Sequence, residues 1–95
     1  MEAMVTRLMN GENVEVMETP GFTNFDDAKS FMIECGKAAR KIATENEDSF
    51  FCKNAMREVE NAWYEALHAD CSYAVHTAAC HAFGWLKKMH DMFNA

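Results

Sequence analysis

Long apolar runs are absent from this chain. None approaches the ~18 residues that a membrane-spanning helix needs, so no membrane span is expected. Proline occurs once, at Pro20, and glycine only four times. Repeats, low-complexity tracts and linkers are missing, and the 95 residues read as a single domain, 1–95, long enough for a core of its own. Cys-x-x-Cys is missing too, although four cysteines are present, Cys35, Cys52, Cys71 and Cys80. A secreted disulfide scaffold would be loop-rich, whereas this chain is rich in helix signals, so free buried thiols in a reducing compartment are expected. The opening residues lack the basic start and apolar block of a signal peptide, and a cytoplasmic protein is expected.

Positive charge is scarce: 9 Lys and Arg stand against 15 Asp and Glu, a net charge of −6. Phosphate backbones are approached through concentrated positive charge, so duplex nucleic acid is disfavoured as a partner. The imbalance is uneven. Residues 1–30 hold six acids against Arg7 and Lys29, a local −4, while residues 31–95 hold nine acids against seven bases, a local −2. Catalytic signatures are lacking as well. There is no Gly-rich phosphate loop after a strand, no His-Glu-x-x-His and no Gly-x-Ser-x-Gly elbow, so neither enzyme activity nor a cofactor is expected.

What the chain does contain starts with Asn10-Gly11, set between Met4–Leu8 and Asn13–Met17. Asn-Gly tolerates positive φ at both central positions of a type I′ turn, which predicts a β-hairpin over 4–17. Val5 would face Val16, Arg7 would face Val14, and Met4 would pair with Met17. A two-stranded ribbon is marginal alone, so it must pack on the rest of the chain or on a second copy.

The remainder reads as helix, over 25–44, 49–69 and 72–93. Asn24 is a candidate N-cap with Asp26 and Asp27 in the first turn, where carboxylates suit the helix dipole. Phe25, Ala28, Met32, Cys35, Ala39 and Ile42 recur at intervals of three and four, one face of a helix. Gly36 and Ala38 make part of that face thin, which suits close approach of a neighbour. Asp48 or Ser49 would cap the second helix, whose stripe is Cys52, Ala55, Met56, Val59, Trp63, Ala66 and Leu67. The third has its seam at Cys71, Val75, Ala78, Ala82, Met89 and Phe93, widened by Trp85 and Leu86. The boundary near Asp70 is weakly marked. One unbroken helix over 49–93 would run roughly 65 Å, which only an oligomer could cover, so a break near Asp70 is the preferred reading. The expected fold class is α+β: an N-terminal β-hairpin packed against a bundle of two or three α-helices, mostly helical.

Three groups of residues are candidates for function. The first is a contact surface for a protein partner, formed by the acidic hairpin residues Glu12, Glu15 and Glu18 with the flanking aromatics Phe51, Tyr64 and Tyr73. Aromatic side chains left on a surface mark interfaces. Phe83 falls on a flank in the same reading. The second is a basic group, Lys37, Arg40, Lys41, Lys53 and Arg57, which an antiparallel helix pair would bring near the helix N-terminus at Ser49. Helix N-termini attract anions, so a small anionic ligand such as a nucleotide could be sequestered there. The third is His76 and Cys80, spaced i, i+4 on one helix and both of metal-ligand type. His68, Cys71, His81 and His90 lie nearby in sequence, but no single helix face gathers them.

Taken together, these features predict a non-catalytic binding protein, an inhibitor or adaptor that occludes a macromolecular partner and self-associates. Its small, acidic, single-domain cast is similar to the accessory proteins with which phages inhibit host machinery, a likeness of composition and of no motif. Anion sequestration and a Cys/His metal site are the alternatives.

Overall fold

A computed structural model describes residues 3–94. The described residues form four α-helices: α1 (Met4–Met9), α2 (Phe25–Glu45), α3 (Phe50–Leu67) and α4 (Ser72–Asn94), with one 3-10 turn at Val16–Glu18. They include no β-strand, so the architecture is all-helical and the expected α+β class is incorrect. None of these helices is long and apolar enough to cross a membrane.

The hairpin fails at its turn. Type I′ geometry needs positive φ at both central residues. Here Asn10 has φ −84° and only Gly11 is positive, at +94°. The Gly11 amide bonds the Leu8 carbonyl at 3.0 Å and the Glu12 amide bonds the Arg7 carbonyl at 3.1 Å. Those two bonds with a left-handed glycine constitute a Schellman helix end. Asn10-Gly11 therefore stops α1 and does not fold one strand back on another. Val5 and Leu8, three residues apart, are buried together on one side of α1, where a strand would have split them between faces.

Residues 13–20 then run as a strap along α4, in the opposite direction. Lys87 Nζ donates to the Val14 carbonyl at 2.9 Å and to Asn13 Oδ1 at 3.3 Å. A Cβ placed on Gly84 would meet Val16 Cγ2 at 3.8 Å. His76 Nδ1 lies 3.1 Å from the Pro20 carbonyl oxygen. Side chains of α4 thus take up strap carbonyls that a partner strand would otherwise have bonded. Within the strap, Glu15 and Glu18 cap each other across the 3-10 turn, and buried Thr19 donates its hydroxyl to the Val16 carbonyl at 2.6 Å.

The long helices carry the caps that their sequences announce. Asn24 Oδ1 accepts the Asp27 amide at 2.9 Å at the start of α2. Asn46 Nδ2 donates back to the Ile42 carbonyl at 2.8 Å at its end. Ser49 Oγ accepts the Cys52 amide at 3.2 Å and opens α3. Residues 68–71 separate α3 from α4, so the overhang that required a second copy does not arise.

α4 is the central element, packed against α1, α2, α3 and the 3-10 turn. Its buried arc is correspondingly wide: Val75, Ala78, Ala79, Ala82, Phe83, Leu86 and Met89. Phe83, expected on a flank, is fully buried, with the Phe31 ring 6.1 Å away. Cys71, expected in the seam, is exposed, because α4 begins only after it. Many of the other core positions are alanine, as at Ala28, Ala39, Ala55, Ala62 and Ala66, so the helix surfaces there are thin. Phe83, Leu8, Leu86 and Met89 are the largest of the fully buried side chains.

Candidate binding groove

Buried alanines line the inner faces of α2 and α3, whereas larger side chains flank the space between the two helices. A depression of about 370 Å³ opens between them. Met32, Ile33 and Gly36 of α2 face Met56, Val59 and Trp63 of α3 across it. Trp63 is held at one end by the Phe25 ring, edge-on with centroids 5.0 Å apart. Gly36 is the floor: a Cβ built there meets no atom within 4 Å. The sequence reading took Gly36 as a point of close helix approach, whereas the structure leaves open space over it.

Charge sits on the rim. Lys37 and Arg40 line the groove with Glu60, which makes two cations against one anion, a local +1 on a chain of net −6. Among the described residues, no ion pair within 4 Å includes Lys37 or Arg40. The groove continues past Arg40 and Met56 into a second depression of about 290 Å³, where Lys53 meets Thr44, Glu47 and Glu60. From Met32 to Thr44 the lined edge of α2 spans twelve steps, roughly 18 Å at 1.5 Å per residue.

The five cations expected to form one anion site are divided by this geometry. Lys37, Arg40 and Lys53 line the α2–α3 groove. Lys41 lines a separate shallow depression against Val5, Thr6 and Met9 of α1, and Lys37, between the two, lines both. Arg57 lines neither part of the groove. The α3 N-terminus beside them is already capped by Ser49.

The acidic group is arranged around one arginine. Arg7 reaches Glu12 at 3.4 Å and Glu18 at 3.5 Å, and the Glu15 amide donates to Glu18 Oε2 at 2.7 Å. Glu12, Glu15 and Glu18 are exposed, but they belong to a helix end and a 3-10 turn, with no hairpin face to share. Phe51 is half-buried against the core, whereas Tyr64 and Tyr73 are 61 % and 78 % exposed. Phe50, 76 % exposed, is an outward aromatic that the sequence reading did not place in the site.

His76 and Cys80 do meet: Cys80 Sγ is 3.5 Å from His76 Nε2. Among the described residues no group of three or more His, Cys, Asp and Glu side chains is disposed to hold a metal ion. The pair would supply two of the four ligands that a tetrahedral zinc site takes. His81 is turned away, 3.3 Å from Glu65 on α3. Cys35 and Cys52 are core residues, and burial, with the Glu34 charge adding to it, pushes the Cys35 thiol up to about 12.

Sequence reasoning found Lys37, Arg40 and Lys53 but missed the apolar walls, because Met32, Met56, Val59 and Trp63 read as core stripe and Ile33 falls outside it. The available signal was Gly36, a glycine inside a helix with no turn to justify it. Comparison of the chain with protein-family models, with curated proteins and with solved structures gives no match.

Proposed function

We propose that this protein is a non-catalytic binding protein that seats an acidic, amphipathic helix of a macromolecular partner in the α2–α3 groove and so occludes that segment. The observation that carries this reading is the pairing of an apolar channel floored by Gly36 with Lys37, Arg40 and Lys53 along its rim. Helix-in-groove recognition uses apolar anchors at i, i+3, i+4 and i+7, and a channel of roughly 18 Å accommodates about three turns. Methionine and tryptophan walls suit such anchors, since thioethers adapt to shape and an indole offers a large flat contact. Rim cations favour carboxylates on the incoming helix and speed encounter between the two. An acidic partner segment also explains how a chain of net −6 can attract it: the local field at the groove is opposite in sign to the whole.

The experiment places a photo-crosslinking residue at Ile33, on the groove wall, and at Tyr73, away from it, in the organism that encodes the chain. The expected result is a crosslink from position 33 to an acidic amphipathic segment, abolished by Gly36→Trp, which fills the channel. Crosslinks that survive Gly36→Trp, or that arise from position 73 instead, refute the reading.

A further inference from the structure

We propose that Cys80 is a nucleophilic thiol with His76 as its base, and that it is a site of oxidation by small peroxides. The geometry decides the roles. The Pro20 carbonyl oxygen can only accept, so its 3.1 Å contact with His76 Nδ1 requires the ring proton on that nitrogen. In the neutral ring Nε2 then carries a lone pair, and it faces Cys80 Sγ at 3.5 Å. The thiol donates to it. Nucleophile, base and a third group that orients the base are thereby in place, the arrangement that activates cysteine in general.

The surroundings select a small reagent. His76, Cys80 and Gly84 form an i, i+4, i+8 row on α4, and both ends of the row touch the strap, at Pro20 and at Val16. Cys80, between those two ends of the row, is half-buried. Of the other thiols, Cys35 and Cys52 are closed within the core, and Cys71 is exposed at the start of α4 without a histidine against it among the hydrogen bonds of the structure. Accessibility alone would make Cys71 the reactive thiol; the His76 contact reverses that order.

The reaction balances as follows. The Cys80 proton passes to His76 Nε2, and the sulfur attacks one oxygen of hydrogen peroxide. The S–O bond forms as the O–O bond breaks, and sulfur is oxidised by two electrons to the sulfenic acid. The departing hydroxide takes the proton back from His76 and leaves as water.

The test treats the full chain with hydrogen peroxide, traps sulfenic acid with dimedone and locates the adduct by peptide mass spectrometry. Cys80 should be labelled faster than Cys71, and His76→Gln should slow Cys80 about ten-fold while leaving Cys71 unchanged. Gln retains an amide donor of the kind that faces Pro20, and a merely structural role for His76 predicts the opposite sign, since a loosened strap would expose the thiol and speed its labelling. Cys71 labelled first, or a Cys80 rate that is unchanged or raised in His76→Gln, overturns the proposal.

Discussion

Alanine substituted for glycine at two positions should move stability in opposite directions. At Gly36, within α2, the helical backbone is ordinary and a Cβ meets nothing within 4 Å. Alanine is favoured over glycine inside a helix by about 1 kcal/mol, so Gly36→Ala should stabilise by about that amount. For a domain of this size 1 kcal/mol moves Tm by about 5 °C. At Gly11 the space is equally open, with nothing within 4 Å, but φ is +94°. Every side chain is strained there, and Gly11→Ala should destabilise by about 1 kcal/mol. Sterics are the same at both sites, and the backbone angle alone sets the sign. Urea and thermal unfolding of the two variants measure both effects. Should both raise Tm, Gly11 is not held in a left-handed helix end. Should both lower it, the channel over Gly36 is not open, and the binding reading falls with it.

Removing Phe83, the largest fully buried side chain, as Phe83→Ala should cost about 3–5 kcal/mol in urea unfolding, a loss that a flank residue would not show. Lys87→Met removes the bonds to Val14 and Asn13, and hydrogen exchange should accelerate across residues 13–20 while α2 and α3 keep their protection. The Cys35 thiol titrates at 9.0 in its ordinary state and at about 12 when folded. A raised thiol makes the unfolded chain the weaker proton binder between those values, so stability is fully present below pH 9 and falls as pH rises, by about 4 kcal/mol in all at pH 12. Cys35→Ala should flatten that alkaline slope relative to the parent chain, and chemical unfolding at pH 8, 9 and 10 measures it.

The same Asn10-Gly11 pair serves a type I′ turn and a Schellman helix end, and the residues around it satisfy both periods. Val5 and Leu8 suit a helix, whereas Val14, Glu15 and Val16 alternate like a strand. What separates the two outcomes is where the backbone hydrogen bonds go. α1 bonds within itself, and the strap finds Lys87 and His76 of α4. A second strand offered nothing further. The groove was hidden for a related reason. In the sequence Met56 and Trp63 fit the core stripe and Lys37 and Arg40 fit an anion site, and nothing local says that the two sets line one channel.

Periodicity and capping chemistry were enough to write the long helical stretches, with Asn24 at the first start, Asp48 or Ser49 at the second, a weakly marked break near Asp70, and Ala28, Met32, Cys35, Ala39 and Ile42 facing inward. Those are short-range facts: a cap bonds an amide three residues away, and an apolar stripe states which side must leave water. Long-range choice settled the rest, namely that α4 lies at the centre and buries Phe83, that the amino-terminal segment lies along it as a strap, and that α2 and α3 part over Gly36. Each of these depends on surfaces that exist only once the helices have met, since a side chain's burial and a carbonyl's partner are properties of the neighbour as much as of the residue.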